Sequence, residues 1–257
     1  MRRCALPLAC LLGMAALAWA QPAAKDTEYQ PRLDKDGYHL LMDGKDLAAW
    51  RVQGMEQVWV IDEQGVLAPV KGGGTLFTKL RYCDYVLELE TKIAANAKSN
   101  SGIFIRVHDR RQEVNTGMEI QILDNAAYGA KWDAYNAMGA LYGLVKPAVD
   151  ANVPLGEWNK FKITLNGGLI NIELNGKEIV KADLDNWTTA KKNPDGTGNK
   201  FPHPIAALPR EGFIGLQNYG GKAVWFRNVR LKPLSDRKPE HTGDEPIAQV
   251  LRKVEAK

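Results

Sequence analysis

The chain has 257 residues and a formal net charge of +4, from 34 Lys and Arg against 30 Asp and Glu. This near balance gives no reason to expect nucleic acid or an anionic membrane surface as a partner. With 45% hydrophobic and 25% charged residues, the composition is typical of a globular protein with a buried core.

The N-terminus has the pattern of a secretory signal peptide. Arg2 and Arg3 precede an apolar run over residues 5–17, and the small-residue site Ala18–Ala20 follows. The apolar run is too short for us to expect a membrane span. We therefore expect cleavage after Ala20 and a periplasmic or secreted protein.

Cleavage would remove two of the three cysteines and leave Cys83 alone, so no internal disulfide is expected. Residues 21–36 are polar and are expected to form a mobile lead-in. Residues 37–234 are predicted to form one domain. The charged residues 235–257 are predicted to be a C-terminal tail, with a weakly amphipathic run over 247–254 as a tail or surface helix.

Short strands separated by turn residues fill the predicted domain. Residues 85–93 alternate apolar and charged side chains, which predicts a strand with one solvated face. Asn-Gly pairs at 166–167 and 175–176 are typical hairpin turns, so three consecutive antiparallel strands are predicted around them. Residues 220–221 (Gly-Gly) suggest a further hairpin. Because no helical period persists, we predict an all-β sandwich or barrel.

Residues 101–143 contain the most informative pattern. Two runs in this stretch alternate with period 2, and each is predicted to be a strand with one buried face. The predicted core positions are Ile103, Ile105, Met118, Ile120 and Ile122. The opposite face would carry Phe104, Arg106, His108, Glu119 and Gln121. An aromatic ring, two basic groups, a carboxylate and an amide on adjacent strands suggest a sugar-binding cleft.

One carboxylate on this face argues against an ordinary retaining glycosidase, which needs two. A sugar with a ketone at C3 needs only a base at C2 and a stabiliser for the enolate. Glu119 or His108 could be the base and Arg106 the stabiliser. Gln121 would orient hydroxyl groups, and Phe104 would stack on the ring. The alternative is a cross-strand ion pair between Arg106 and Glu119 on a solvated face.

Further candidates follow the second of these strands. Trp132 and Tyr142 belong to an aromatic-rich loop that could form the wall of a sugar subsite. Four side chains offer oxygen ligands for Ca²⁺ or another divalent metal, without the fixed spacing of an EF-hand: Asp124, Asn125, Asp133 and Asn136. No cofactor is otherwise indicated. The long irregular loop over residues 183–211 is of a length that often has a function.

Several motifs, taken together, resemble the 3-keto-disaccharide hydrolase domain family. They are LLMDGKDLAAW (40–50), NSGIFIR (100–106), EIQILDN (119–125), GALYG (139–143), GEWN (156–159), GFIGLQNYG (212–220) and VWFRNVRL (224–231). The resemblance implies a concanavalin-like jelly roll of two curved antiparallel sheets, with the site on the concave face. It also implies cleavage of glycosides already oxidised at C3.

The resemblance carries functional positions over to Glu119, Arg106 and Asp124. It also points to Gln217 and Tyr219 as substrate-binding residues, because the family motif near the C-terminus resembles LQxHG. This chain has tyrosine at 219 in place of histidine, and tyrosine is a poor base near neutral pH.

The sequence therefore predicts an exported enzyme that cleaves 3-keto-glycosides by C2 deprotonation and elimination. The alternatives are a non-catalytic carbohydrate-binding module and an ordinary two-carboxylate glycoside hydrolase. A separate oxidase would supply the ketone, because the chain has no nucleotide-binding motif. The expected partner is an oligosaccharide or glycoside, and no oligomeric state is indicated.

Overall fold

A computed structural model describes residues 29–54, 58–70, 72–95, 97–220 and 223–254. These residues form thirteen strands and little helix. The strands are β1 (His39–Met42), β2 (Trp50–Gly54), β3 (Trp59–Ile61), β4 (Leu67–Pro69), β5 (Gly74–Thr78), β6 (Tyr85–Ile93), β7 (Asn100–Val107), β8 (Met118–Leu123), β9 (Trp158–Asn166), β10 (Leu169–Leu174), β11 (Lys177–Asp183), β12 (Phe213–Asn218) and β13 (Val224–Pro233). The connections contain the helix α1 (Glu113–Thr116) and the 3₁₀ turns Arg110–Gln112, Leu184–Asn186, Ile205–Ala207 and Ile247–Gln249.

Two antiparallel sheets pack face to face. The large sheet has the order β11-β10-β9-β6-β13-β4-β3, with β1 also paired to β13. The small sheet has the order β2-β5-β12-β7-β8. The predicted all-β, concanavalin-like jelly-roll sandwich is therefore confirmed.

Alternating side chains create the core between the sheets. In β6, Leu87 and Leu89 point inward, while Glu88 and Glu90 are on the outer face. The core positions predicted for β7 and β8 are also confirmed, since all of them are at most 2% exposed. Each sheet thus has one apolar face, and burial of these two faces is the main stabilisation of the sandwich.

Of the three predicted turns, one agrees with expectation and two differ from it. Asn175 and Gly176 both have positive φ (51° and 79°), as a type I′ hairpin turn requires. The other predicted Asn-Gly turn is shifted by one residue, because β9 ends at Asn166 and β10 begins at Leu169. The predicted hairpin at residues 220–221 is wrong. β12 belongs to the small sheet and β13 to the large sheet, so this connection crosses between sheets.

Both ends of the described chain lie against the sandwich. Tyr29 packs against the core, and Arg32 pairs with Asp43 and Asp46. Residues 247–254, for which a tail or surface helix was expected, do not form a regular helix. They contain a single 3₁₀ turn, and Val250 is buried. Arg252 N donates to Ala207 O at 2.7 Å, which holds the segment against the domain.

The predicted signal peptide lies outside the described residues. Within the described ranges, no helix combines the length and the apolar character needed to cross a membrane. The one cysteine there, Cys83, is buried and free, in agreement with the expectation of a buried side chain.

Candidate functional site

The outer face of the small sheet carries two rows of aligned side chains. Cross-strand pairing places Glu119 beside Phe104, and Phe104 beside Gly215. The next row joins Gln121 to Gly102, and Gln217 lies opposite Thr75. Side chains of one parity share a face, so these pairs place Glu119, Gln121 and Gln217 together. The predicted shared face of Glu119 and Gln121 is therefore confirmed.

Gly102 makes room for the carboxylate of Glu119. A Cβ atom added at Gly102 would lie 2.2 Å from Glu119 Oε1, so any larger side chain would displace the carboxylate. The loop after β8 holds the strand from its other side. Tyr142 N donates to Glu119 O at 2.8 Å, and Gly139 N donates to Gln121 O at 2.8 Å. The β8 strand is thus fixed along both edges.

Glu119 has an unusual charge environment. Within the described residues, its carboxylate has no ion pair or side-chain hydrogen bond. The pKa of Glu119 is raised to about 7, mainly by burial and to a smaller extent by the negative charge of Glu113. The positive charge of Lys200 acts in the opposite direction. A carboxyl group with a pKa near neutrality can exchange protons with a substrate at physiological pH.

Lys200 comes from the long loop between β11 and β12. Burial lowers the pKa of Lys200, while Glu119 and Glu113 raise it. Its Nζ also lies 5.7 Å from the centre of the Tyr142 ring. The loop therefore places a partly desolvated cation on the Glu119 side of the small sheet.

Polar and aromatic side chains extend the site along the sheet. Gln121 Nε2 donates to Asn100 Oδ1 at 3.3 Å, which fixes the orientation of this amide. Tyr142 is 37% exposed, and Tyr219, just after β12, is 52% exposed. Gln217 is half-buried. These groups offer the hydrogen bonds and ring faces that sugars need.

The prediction that Arg106 shares the Glu119 face is wrong. Two residues of β7, Ile105 and Arg106, oppose the single residue Ile214 of β12 between the pairs Phe104–Gly215 and Val107–Phe213, so β7 contains a β-bulge. Arg106 has a φ of 51° at this point. Its guanidinium is unexposed and lies 3.4 Å from Asp84 Oδ1, so it forms no ion pair with Glu119. Burial lowers the pKa of Arg106 to about 10.

His108 is also separated from Glu119. Its ring is unexposed, with Nε2 2.8 Å from Glu245 O and Nδ1 3.4 Å from Arg81 Nη2. Burial lowers the pKa of His108. Both ring nitrogens have partners, so this geometry does not present His108 to a ligand near Glu119.

Phe104 lies on the predicted face but has no exposed surface. It packs with Phe77, Val107 and Phe213 in a small apolar cluster. The structure therefore places Phe104 beneath the site, where it supports the sheet, and not in the stacking position predicted for it.

Asp124 and Trp132 line a different cavity of about 440 Å³ beyond the end of β8. Asp124 Oδ1 accepts a hydrogen bond from Ala127 N, and Asn125 Oδ1 accepts one from Met138 N. Both side chains thus cap backbone turns. Among the described residues, no group of three or more His, Cys, Asp or Glu side chains is arranged to hold a metal.

Sequence reasoning missed Lys200 and Glu113. Lys200 is 81 positions away from Glu119 along the chain and lies in an irregular loop, so no periodicity indicates it. Glu113 lies in the polar turn between the two site strands. The length of the loop, which suggested a function, was the one signal that pointed toward Lys200.

Comparison with known proteins identifies the family of this chain. Residues 37–232 match the model of the 3-keto-alpha-glucoside-1,2-lyase-like domain. A protein of Bacteroides thetaiotaomicron named 3-keto-disaccharide hydrolase is 30% identical over 246 residues, which cover 82% of this chain and 83% of that protein.

Solved structures give the same result. A candidate glycosyl hydrolase from Parabacteroides distasonis is 33% identical, with a TM-score of 0.68, over 77% of this chain and 99% of that one. A second such protein from the same organism is 24% identical, with a TM-score of 0.65, over 78% and 95% of the two chains, and shows the same fold. The chain therefore belongs to the 3-keto-alpha-glucoside-1,2-lyase-like domain family.

Proposed function

We propose that this protein is a glycoside-cleaving enzyme that acts on sugars oxidised at C3, with Glu119 as the base. The observation that carries the proposal is the carboxylate of Glu119 on a polar sheet face, which has no ion pair within the described residues and whose pKa is raised to about 7. The family match and the 3-keto-disaccharide hydrolase relative support the same substrate class.

The proposed reaction starts with removal of the C2 proton by Glu119. The C3 ketone accepts the electron pair as an enolate. The enolate then re-forms the ketone, a C1–C2 double bond forms, and the C1–O bond breaks with its electrons on the leaving oxygen. That oxygen takes a proton from Glu119 or water. Addition of water across C1–C2 then completes hydrolysis.

A base with a pKa near 7 suits this chemistry. It is ionised in a large fraction of molecules at neutral pH, yet it binds a proton far more strongly than an ordinary carboxylate. The same group can therefore return the proton to the leaving oxygen, as the reaction requires.

Lys200 takes the role that the sequence suggested for Arg106. Its charge acts on Glu119, whereas the Arg106 guanidinium lies against Asp84. A partly desolvated ammonium beside the sugar would stabilise the negative charge of the enolate. Gln121, Gln217 and Tyr219 would orient hydroxyl groups along the sheet.

The test uses 3-keto-trehalose, with unoxidised trehalose as the control. We expect release of glucose and 3-keto-glucose from the oxidised sugar alone, measured by chromatography. Cleavage of neither sugar, with measurable binding of both, would replace this proposal with the carbohydrate-binding alternative. Parallel reactions with a chelator, and with Ca²⁺ restored, test the metal hypothesis.

One observation favours a second candidate, an ordinary two-carboxylate glycoside hydrolase. Glu113 is close enough for its charge to raise the pKa of Glu119, so a second carboxylate is present near the first. The two functions differ in whether they need the ketone, so cleavage of an unoxidised disaccharide by the wild type would favour this second candidate.

We also propose export, with cleavage after Ala20. The basic start, the apolar run over residues 5–17 and the Ala18–Ala20 site support it. Expression of the full chain followed by N-terminal sequencing of the extracytoplasmic product should give Gln21 as the first residue. An intact N-terminus on a cytoplasmic product would contradict this.

A further inference from the structure

A basic cavity lies at the end of the small sheet, away from the Glu119–Gln121 rows. Its volume is about 840 Å³, and it lies between residues 79–84 and residues 233–244. We call it the basic pocket. Two carboxylates, Asp84 and Asp244, line it. It has six lining cations: Arg51, Lys79, Arg81, Arg110, Arg237 and Lys238.

Arg81 has a largely buried side chain. Its side chain is 6% exposed, with Nη2 3.4 Å from Glu211 Oε1. Its Nε and Nη1 atoms have no hydrogen-bond partner among the described residues. Buried guanidinium donors without acceptors are costly, and the oxygens of an anion would satisfy them.

The ring of Phe213 brings a second guanidinium close to the first. Arg110 lies 4.4 Å and Arg81 5.4 Å from the centre of this ring. Together with the other lining cations, these two guanidinium groups concentrate positive charge at this end of the pocket, which favours an anionic ligand.

Phe213 also connects the pocket to the Glu119 face. It belongs to the apolar cluster with Phe104, which is the cross-strand neighbour of Glu119. Two strand spacings and two residues along β12 separate Phe213 from Glu119, about 12 Å between Cα atoms. This distance fits a ligand of about two sugar units.

The C-terminal segment forms one wall of the pocket, and Glu211 holds it in place. Glu211 accepts hydrogen bonds from Glu240 N at 2.8 Å and His241 N at 2.9 Å. Residues 233–244 follow the stretch that matches the family model, which ends at residue 232. This part of the pocket therefore lies outside the matched family domain.

We infer that the basic pocket binds an anionic group, a carboxylate, phosphate or sulfate, on a sugar that extends from the Glu119 face. The inference rests on the proposed function for the sugar part of the ligand. It adds a substrate class to that function. The substrates would be glycosides that carry a negative charge about two sugar units away from the reacting carbon.

The test is calorimetric titration of the full chain with matched pairs of uncleaved sugars. Trehalose 6-phosphate and trehalose 6-sulfate are compared with trehalose, and cellobiouronic acid with cellobiose. We expect at least one anionic sugar to bind about tenfold more tightly than its neutral partner. The difference should shrink as NaCl is raised, because salt screens the charges.

Three variants test whether the basic pocket produces the preference for the anionic sugar. Lys79→Gln and Arg81→Gln should remove most of the preference for the anionic sugar, while Lys181→Gln, the same charge change on the exposed edge strand β11, should keep it. Since Arg81 also contacts Glu211, Lys79→Gln provides the test if Arg81→Gln fails to fold. Equal affinity for anionic and neutral sugars, or a preference that Lys79→Gln leaves unchanged, would overturn the inference.

The calorimetric data, taken together with the 3-keto-trehalose cleavage assay, separate this inference from the proposed function. A preference for anionic sugars without cleavage of any 3-keto-glycoside would retain the pocket and reject the enzymatic proposal. Cleavage of 3-keto-trehalose without an anion preference would do the reverse.

Discussion

Glu119 and Glu90 are half-buried glutamates on the outer faces of the two opposing sheets. Glu90 Oε2 lies 2.6 Å from Arg227 Nη2, and the neighbouring Glu88 Oε2 lies 2.6 Å from Arg230 Nη2. Glu119 has no such partner within the described ranges, and its pKa is raised to about 7.

The difference shows that burial alone does not distinguish a structural carboxylate from a reactive one. On the large sheet, each carboxylate meets an arginine directly across the strands, so its charge is compensated. On the small sheet, Arg106 turns toward Asp84, so within the described residues Glu119 has no ion pair and the charge of Lys200 compensates it only in part. A folded protein tolerates such a cost mainly where function requires it.

The strongest way to test this comparison is to neutralise each carboxylate. Glu119→Gln should lower kcat on a 3-keto-disaccharide by about a thousandfold, because a general base is lost. Glu90→Gln, the matched control on the large sheet, should leave kcat unchanged. Initial rates on 3-keto-trehalose measure both. Similar rates for wild type and Glu119→Gln would show that Glu119 is not the base.

The same two substitutions, Glu119→Gln and Glu90→Gln, should change the free energy of unfolding in opposite directions. The folded-state pKa of Glu119 is about 7, above its ordinary value of 4.5, so ionisation costs stability as pH rises from about 4.5 to 7. Glu119→Gln removes this cost and should stabilise the protein by up to about 3 kcal/mol at pH 8, with little effect at pH 4.

At pH 8, Glu90→Gln should instead destabilise the protein by less than about 1 kcal/mol, since a partly exposed ion pair is lost. Urea unfolding at pH 4 and pH 8 measures both variants. A stabilisation by Glu119→Gln that is equal at the two pH values would contradict a titrating carboxylate.

A smaller effect is expected from Lys200→Gln. Lys200 lowers the pKa of Glu119, so its removal should shift the acid limb of the kcat/KM profile to higher pH. We expect kcat to fall about tenfold or more through weaker enolate stabilisation. Lys200→Arg should restore most of both, and Lys92→Gln on the large sheet is the control. An acid limb at the wild-type position would show that Lys200 does not act on Glu119.

The strands of this fold are largely predictable from sequence. Alternation in β6, β7 and β8 depends on local side-chain pattern alone, and it correctly gave the sandwich, the core positions and the face of Glu119 and Gln121. The turns were harder to predict from the sequence than the strands. A Gly-Gly pair permits a sharp change of direction, but it does not determine whether the next strand joins the same sheet.

The site was less predictable for two physical reasons. The β-bulge at Arg106 reverses the alternation at one residue, and nothing in the pattern of β7 signals it. Lys200 reaches the site through an irregular loop, whose path depends on tertiary packing. Period-2 reasoning therefore predicted the carboxylate but not the cation beside it.

The anchored C-terminal segment bears on where a shortened chain can safely end. Truncation after Lys232, at the limit of the family match, would remove the backbone donors of Glu240 and His241 from Glu211. It would also remove the carbonyl of Glu245 that faces the His108 ring. The folding unit thus extends at least to Val250, beyond the limit that similarity alone would suggest.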